Sequence, residues 1–438
     1  MDCIKRSPIK LKKHQLKAVK FLNEERQNGL ILVHPTGYGK TLTAVVYSQC
    51  FLDKYPRNKV IFVGPSGLLN NFRKEMSVYG VLNKEKYELY SYQKFHQLFN
   101  QDLINCRNNL LIVDEVHNLR NLALRNESKG VTAKAVYKCA IFARKRLLLT
   151  ATPFINDLMD FESLINFVYG GMKIYKRTQL SEAIDLKKYL KNKVDFISLS
   201  PEDKKLFPTF KEEYKYIPMP NEYEQNYCRV IRGYKVEGTV FLNPSSFYNA
   251  HRRAVNKIGT DDEYLGMKMK TAIELIGDKK AVIFSNWLKY GLEPIQKALK
   301  KAKIKSKSFS GKDSETQKKK IVEEFNQDKF QVLIITSAGK EGLDLKGVRK
   351  LVVMDPVWNF AGIEQIKGRA VRMGSHLHLP EQERTVDIYY LILSTSDDRT
   401  KTKRTGKCFS GDALVYQFVE NKKKIQKKID KVLKEISI

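Results

Sequence analysis

Short apolar runs recur along the chain, and the stretches between them carry apolar residues at helical spacing. Runs rich in Val, Ile and Leu that alternate with helical segments are typical of buried parallel strands joined by helices. In the first half of the chain, these runs lie at 29–33, 59–65, 109–115 and 146–153. In the second half, they lie at 280–286, 304–310, 331–337, 350–356 and 385–393. The pattern therefore predicts two α/β domains with parallel sheets, at 1–170 and 266–395.

Two stretches do not follow this alternation. Residues 171–265 are rich in Lys, Tyr and Glu and lack regular strand runs, so we predict a mostly helical insertion, or bridge, between the domains. In 396–438 a polar, basic segment is followed by apolar residues at helical spacing, namely Phe418, Ile425, Ile429, Val432 and Ile436. This spacing predicts a basic amphipathic helix. We expect this tail helix to dock on the second domain, with a nucleic-acid-binding arm as the alternative.

The charge of the chain adds an indication about its partners. Of the 438 residues, 79 are Lys or Arg and 48 are Asp or Glu, which gives a formal net charge of +31. Such an excess commonly marks a nucleic-acid partner, because cationic side chains release the counterions that condense on phosphates. A very soluble, lysine-rich surface is the alternative explanation.

Cysteine spacing and hydropathy suggest where the protein works. The six cysteines, at positions 3, 50, 106, 139, 228 and 408, are scattered and form no C-x-x-C pair. We therefore expect neither a disulfide framework nor a zinc site, and a reducing compartment. The start of the chain lacks the apolar core of a secretory signal, and no apolar run approaches the roughly 18 residues of a membrane span. We expect a soluble, intracellular protein without a membrane partner.

The sequence HPTGYGKT, at 34–41, follows the first apolar run and precedes a helix-like stretch, which is where a phosphate-binding loop belongs. Gly37 and Gly39 would let backbone N–H groups face the phosphates. Lys40 can reach the β- and γ-phosphates, and the Thr41 hydroxyl can bind Mg²⁺. We predict that this loop, the cradle, binds ATP through Pro35, Thr36, Gly37, Tyr38, Gly39, Lys40 and Thr41. His34 replaces the usual first Gly of the loop, and we expect it to pack at the strand end.

Two further apolar runs end in groups suited to phosphate chemistry. The run at 109–115 ends in Asp114 and Glu115, at the sheet edge where α/β proteins bind ligands. We predict that Asp114 holds Mg²⁺, that Glu115 orients and deprotonates the attacking water, and that His117 links the site to a neighbouring segment. The run at 146–153 ends in TATP, so Thr150 and Thr152 offer hydroxyls at another strand end.

The loop, DEVH and TATP in this order resemble the motifs of superfamily 2 helicases and translocases. In the second half, 335–345 resembles that family's motif V, and 365–376 matches the Q-x-x-G-R-x-x-R pattern of its motif VI. The segments 282–287, 309–326 and 354–375 are most similar to the Swi/Snf-type branch. The segment 245–256 and the tail are similar to transcription ATPases of large DNA viruses, of the poxvirus nucleoside triphosphatase I and early transcription factor small subunit type.

This resemblance implies two tandem RecA-like P-loop domains, a helicase ATP-binding domain at 1–170 and a helicase C-terminal domain at 266–395, with ATP in the cleft between them. It implies that Arg369 and Arg372 reach the γ-phosphate and that Gln365 helps to hold the water. The remaining implied nucleotide contacts are Gln15, which would read adenine, Gly342 and Asp344. The implied contacts to the nucleic-acid backbone are Pro65, Ser66, Gly67, Thr336 and Ser337. The coupling of ATP hydrolysis to movement is expected to run through His117, Thr150 and Thr152.

The function implied by the resemblance is a nucleic-acid-dependent ATPase that translocates on double-stranded DNA in viral transcription, with RNA polymerase or other transcription proteins as partners. A viral factory in the cytoplasm, a virion or a nucleus would be its location. Two alternatives stay open. One is a strand-separating DNA or RNA helicase, and the other is a nucleic-acid-binding scaffold whose ATPase is inactive.

Overall fold

The protein is described by a computed structural model, which forms two compact units. The first contains Met1–Ser200 and Lys422–Ile438, and the second contains Pro201–Asn421. The residues outside the description are 1, 36, 82, 120–129, 155–157, 175–176, 199–200, 233–251, 253, 257–265, 312, 337–342, 359 and 401–407. Among the described helices, none is both long and apolar enough to cross a membrane.

The first unit is built on a parallel sheet in the strand order β3-β2-β4-β5-β1-β6. Its strands are β1 (Gly29–Val33), β2 (Val60–Gly64), β3 (Tyr87–Ser91), β4 (Leu110–Val113), β5 (Lys145–Thr150) and β6 (Val194–Phe196). Its helices are α1 (Asp2–Lys5), α2 (Lys13–Asn23), α3 (Lys40–Lys54), α4 (Ser66–Tyr79), α5 (Tyr92–Asn100), α6 (Val131–Phe142), α7 (Asp160–Tyr169) and α8 (Leu186–Leu190).

Alternate residues of the central strands pack into two hydrophobic cores, one on each face of the sheet. Leu30 and Leu32 of β1 face one core, and Ile31 and Val33 face the other. Both faces of the sheet are therefore covered, as the continuous apolar runs predict.

The second unit repeats this plan with the parallel order β7-β12-β11-β8-β10-β9. Its strands are β7 (Thr209–Pro218), β8 (Ala281–Phe284), β9 (Ser306–Phe309), β10 (Val332–Ile335), β11 (Lys350–Val353) and β12 (Thr385–Ser394). Its helices are α9 (Pro201–Lys204), α10 (Asn221–Ile231), α11 (Gly266–Ile276), α12 (Glu293–Lys301), α13 (Glu315–Asn326), α14 (Phe360–Ala370), α15 (Ser396–Thr400) and the start of α16 (Gly411–Ile436). The prediction of two parallel-sheet α/β domains is confirmed.

The stretch 171–265 contains helices, as predicted, but it also supplies an edge strand to each sheet. β6 pairs with β1, and β7 pairs with β12 over ten residues. The sequence of β7, TFKEEYKYIP, lacks an apolar run because most of its residues are exposed at the sheet edge. The charged residues of β7 therefore hide the strand from a prediction that rests on apolar runs. Residues 233–251 and 257–265 of this stretch lie outside the described part of the chain, and the predicted domain boundaries stay predictions.

The tail forms the predicted helix, α16, but the expectation that it docks on the second domain was wrong for its last turns. Ile429, Val432, Leu433 and Ile436 belong to a core of the first unit. The chain end extends this packing, since the Ile438 N–H donates to the Val194 carbonyl at 3.0 Å. Only the first turns of the helix contribute to the second unit, through Val415, Tyr416 and Val419. Helical spacing predicts that a helix has an apolar face, but it does not show which domain that face packs against.

The expectation of unpaired cysteines was also wrong. The six cysteines form three disulfides, Cys3–Cys50, Cys106–Cys139 and Cys228–Cys408. The partners are separated by 47, 33 and 180 residues, so only the folded chain brings them together. The first disulfide ties the amino-terminal α1 to α3, the helix that follows the cradle.

Packing of the tail against the first unit can be tested at two isoleucines one helical turn apart. Ile429 is fully buried, whereas Ile425 is 39% exposed. We expect Ile429→Ala to lower the free energy of unfolding by about 2–5 kcal/mol, because it leaves a cavity in a closed core. The matched Ile425→Ala change should cost less than about 1 kcal/mol. Chemical denaturation measures both, and equal losses would contradict the packing.

Candidate functional site

The cradle joins β1 to α3 at the carboxyl edge of the first sheet. Gly37 and Gly39 adopt φ values of 85° and 74°, in the left-handed region that favours glycine. A Cβ atom on Gly39 would also lie 2.3 Å from the Gln15 side-chain nitrogen. The backbone of this loop therefore requires glycine at position 39. Because α3 begins at Lys40, the positive end of its dipole lies at the loop, as an anion site needs.

Gln15 is buried and holds the loop. Its Nε2 donates to the Gly39 carbonyl at 3.2 Å, and its Oε1 accepts from the Lys12 N–H at 2.8 Å. Tyr38 is buried beside it, and its carbonyl lies 3.1 Å from His14 Nε2. The predicted adenine contact of Gln15 stays a prediction.

His34 is fully buried at the end of β1, and its side chain meets an acid from another strand. His34 Nε2 lies 2.8 Å from Oδ2 of Asp195, which is itself buried in β6. Burial lowers the pKa of His34 despite the nearby carboxylate, so the ring is neutral near pH 7. Since a carboxylate can only accept, the proton is assigned to Nε2. The backbone N–H of His34 donates to the backbone carbonyl of Thr150 at 3.2 Å. This hydrogen bond joins the cradle to β5.

Lys40 lies against the backbone of its own loop. Its Nζ donates to the carbonyls of His34 and Pro35 at 2.8 and 3.3 Å. Burial lowers the pKa of Lys40, and the carboxylates of Glu115 and Asp114 act in the opposite direction. These acids therefore help to keep a buried ammonium charged. Beside it, the Thr41 hydroxyl lies 3.5 Å from Asn71 Nδ2 of α4.

Asp114 and Glu115 follow β4, as predicted. Asp114 is buried, and its Oδ1 accepts the Glu115 N–H at 2.9 Å. Burial and the Glu115 carboxylate raise the pKa of Asp114 to about 7, while Lys40 opposes them. A divalent cation would favour the ionised form of such an acid. The carboxylate of Asp114 and the hydroxyl of Thr41 are oxygen donors of the kind that Mg²⁺ prefers. The residues present therefore fit a magnesium ion.

A chain of contacts leads from Glu115 to the end of β5. His117 is buried, and its Nδ1 lies 3.2 Å from Glu115 Oε2 and 3.0 Å from Thr150 Oγ1. Thr150 Oγ1 in turn accepts the Thr152 N–H at 3.1 Å. The structure thus brings together the three residues predicted to couple hydrolysis to movement.

Pro65, Ser66 and Gly67 lie at the carboxyl end of β2, where α4 begins. Ser66 and Gly67 are exposed, and a Cβ atom on Gly67 would meet no atom within 4 Å. The first turn of α4 is therefore open to a ligand.

In the second unit, the predicted motif residues gather around one carbonyl. Nη1 of Arg369 and Nη1 of Arg372 donate to the Leu343 carbonyl at 3.1 and 3.2 Å. Arg372 Nη1 also lies 3.5 Å from Asp344 Oδ1, and Arg369 Nε donates to the Gln365 carbonyl at 3.3 Å. Helix α14, the residues just after it and the segment at 343–344 therefore place these four predicted residues side by side.

Thr336 follows β10 and is buried, with its N–H donating to the Phe309 carbonyl at 3.3 Å. Three predicted site residues lie outside the described part of the chain, namely Thr36, Ser337 and Gly342.

Sequence reasoning missed two residues that support the site. Asp195 holds His34, and the Tyr92 hydroxyl donates to the backbone carbonyls of Asp114 and Glu115. Asp195 lies in the sequence VDF, where the alternation of apolar and polar residues could have indicated a strand. No motif or spacing in the sequence indicated a role for Tyr92.

The neutral state of His34 leads to a prediction about pH. A lowered pKa means that the folded chain binds this proton less readily than the unfolded chain. The associated stability is complete above pH 6.5 and is lost as the pH falls below that value. His34→Gln keeps a nitrogen near the Nε2 position but does not titrate. Between pH 7.5 and 5.5, its denaturation midpoint should therefore fall less than that of the unsubstituted protein.

His96→Gln, at a half-buried histidine of α5, is the matched control and should keep the normal acid sensitivity. Equal acid sensitivity of the two variants would show that His34 is not buried as a neutral ring.

Comparison with known proteins identifies the family and the fold of the chain. A family model described as the type III restriction enzyme, res subunit, matches residues 8–155, and the helicase conserved C-terminal domain matches 267–374. The helicase domain of Hef from Pyrococcus furiosus has the same fold, with a TM-score of 0.50 and 18% identity over 93% of this chain and 98% of that one.

Two viral proteins are similar in sequence over most of their length. The "Putative ATP-dependent RNA helicase L538" of Acanthamoeba polyphaga mimivirus is 33% identical over 88% of this chain and 89% of its own. Nucleoside triphosphatase I of Melanoplus sanguinipes entomopoxvirus is 23% identical over 87% of this chain and 73% of its own. The predicted tandem RecA-like fold and the predicted ATP hydrolase are confirmed. The chain therefore belongs to helicase superfamily 2, as a nucleic-acid-dependent ATPase of the viral group that includes these two relatives.

Proposed function

We propose that this ATPase couples hydrolysis to translocation along double-stranded DNA during viral transcription. The observation that carries the proposal is the contact chain Glu115–His117–Thr150, which connects the predicted general base to the neighbouring strand end. A base linked in this way can transmit the state of the nucleotide to the rest of the unit. The net charge of +31 favours a nucleic-acid track, and the resemblance to Swi/Snf-type motifs favours duplex DNA.

The chemistry of the proposal is the transfer of the γ-phosphoryl group of ATP to water. Glu115 accepts a proton as the water attacks phosphorus, the bond to the β-phosphate oxygen breaks, and ADP and phosphate leave. Cradle N–H groups and Lys40 stabilise the phosphate charge, and Thr41 and Asp114 would hold a Mg²⁺ ion that neutralises part of it. The family resemblance assigns Arg369 and Arg372 to the γ-phosphoryl group and Gln365 to the attacking water.

Contacts to the nucleic-acid backbone are proposed at both units. In the first, the open start of α4 offers Ser66, Gly67 and N–H groups that suit phosphates. In the second, the proposed contacts are Thr336, which directly follows β10, and its neighbour in the sequence, Ser337. These contacts would carry no base specificity, since they reach only the backbone. RNA polymerase or another transcription protein is the proposed protein partner.

A second candidate function is strand separation on RNA or DNA. It is favoured by the name of the mimivirus relative, which is that of an RNA helicase. An unwinding assay on tailed fluorescent duplexes separates the two, because a duplex translocase leaves the strands paired.

We expect duplex DNA to stimulate ATP hydrolysis severalfold, and more strongly at low salt than at high salt. Activity should be compared across duplex DNA, single-stranded DNA and RNA at two salt concentrations. Stimulation by RNA with strand separation would favour the helicase, and a lack of stimulation by every nucleic acid would contradict the proposal.

Lys40→Ala and Glu115→Gln should each lower kcat by at least about 10²-fold, because they remove a phosphate contact and the general base. Lys54→Ala, at the exposed opposite end of α3, is the control and should keep normal activity. Unchanged hydrolysis in both site variants would instead support a scaffold in which these residues have no catalytic role.

A further inference from the structure

Glu115 occupies an unfavourable backbone conformation. Its φ is 48°, in the left-handed region that residues with a Cβ atom rarely adopt. A conformation of this kind persists only when surrounding contacts enforce it, and such residues cluster at functional sites. The turn at Glu115 directs its carboxylate to within 3.2 Å of His117 Nδ1. Something must therefore hold the turn that aims this acid.

Tyr92 is placed to do so. Its hydroxyl donates to the Asp114 carbonyl and to the Glu115 carbonyl, the latter at 3.0 Å. It is the first residue of α5, whose start is fixed by Ser91, because the Ser91 hydroxyl accepts the Lys94 N–H at 3.3 Å. The Tyr92 ring packs against a core of the first unit. The Tyr92 hydroxyl thus contacts the carbonyl groups of both residues that directly follow β4.

We propose that Tyr92 is a positioning residue for the acid pair. Its hydroxyl holds the left-handed turn, so that Glu115 reaches His117 while Asp114 keeps the orientation required of a magnesium ligand. The inference rests on the proposed function for what the acids do, but the contact itself lies outside every motif identified in the sequence. Tyr92 is not itself one of the reacting groups, and its hydroxyl reaches the acids through their two backbone carbonyls.

A neighbouring tyrosine provides a matched control. Tyr90 lies two residues earlier and packs against the same core, but its hydroxyl donates to Glu88 Oε2 at 3.1 Å and not to the acid turn. Tyr90→Phe and Tyr92→Phe in the full chain each remove one hydroxyl and keep the ring. A difference between them therefore reports on the acid turn and not on core packing.

We expect Tyr92→Phe to lower kcat for nucleic-acid-stimulated hydrolysis by about 10- to 100-fold, since small misplacements of catalytic groups have effects of this size. The KM for ATP should change less than about twofold, because the cradle is untouched. Tyr90→Phe should leave kcat and KM within about twofold of the unsubstituted protein. A rise in KM with kcat unchanged, or equal effects of the two variants, would overturn the inference.

A binding measurement keeps this test independent of catalysis. The affinity for a fluorescent ADP derivative is measured with Mg²⁺ and with EDTA, and the ratio of the two dissociation constants reports the contribution of the metal. We expect this ratio to fall at least fivefold in Tyr92→Phe and to stay unchanged in Tyr90→Phe.

If the unsubstituted protein hydrolyses no ATP with any nucleic acid, the proposed function fails, and the binding ratio still decides the role of Tyr92. An unchanged ratio together with an unchanged kcat overturns the positioning role. So does a Tyr92→Phe protein that fails to fold, since the hydroxyl would then serve stability alone.

Discussion

Parallel, in-register pairing of β4, β5 and β1 is the constraint on which the chemistry of the first unit depends. Val33 at the end of β1 pairs with Thr150, and Val113 at the end of β4 pairs with Leu148. Because side chains alternate between the two faces of a strand, a slip of one residue would turn Thr150 away from His117. The same slip would exchange the two apolar faces. Close packing of both faces in the two cores therefore holds the register, and the register aligns Thr150 with His117.

The charged groups at this sheet edge depend on one another for a related reason. Lys40 and Asp114 are both buried, and burial disfavours the charged form of each. The acids oppose the loss of the proton from Lys40, and Lys40 opposes the gain of a proton by Asp114. The ammonium of Lys40 and these acids thus favour each other's charged forms. Removal of Lys40 would take away the buried cation that offsets the charge of Asp114, which is costly.

Much of this arrangement could be predicted from local sequence. The cradle, the acid pair and TATP each follow a continuous apolar run. A segment of about ten residues therefore contains both the pattern that predicts the strand and the functional residues at the end of that strand. Glycine at position 39 is likewise a local requirement of the loop. The gathering of Arg369 and Arg372 follows from their spacing on and just after one helix.

The parts that sequence could not supply depend on partners far away in the chain. Asp195 meets His34 across 161 residues, and Cys228 meets Cys408 across 180. An exposed edge strand such as β7 buries few side chains, so its sequence contains no apolar run from which the strand could be predicted. Tyr92 acts through two backbone carbonyls, and no residue pattern encodes that contact. In each case, the missing information is a three-dimensional proximity and not a local preference.

The division of the chain has a consequence for its synthesis. The first unit combines Met1–Ser200 with Lys422–Ile438, and a core of that unit includes Ile429, Leu433 and Ile436. A ribosome therefore completes more than 200 residues of other structure before it makes the side chains that close this core. During that interval the cradle and its acids lie in a unit whose hydrophobic interior is incomplete. The hydrophobic interior of this unit can therefore close only after the residues at 429–436 have left the exit tunnel.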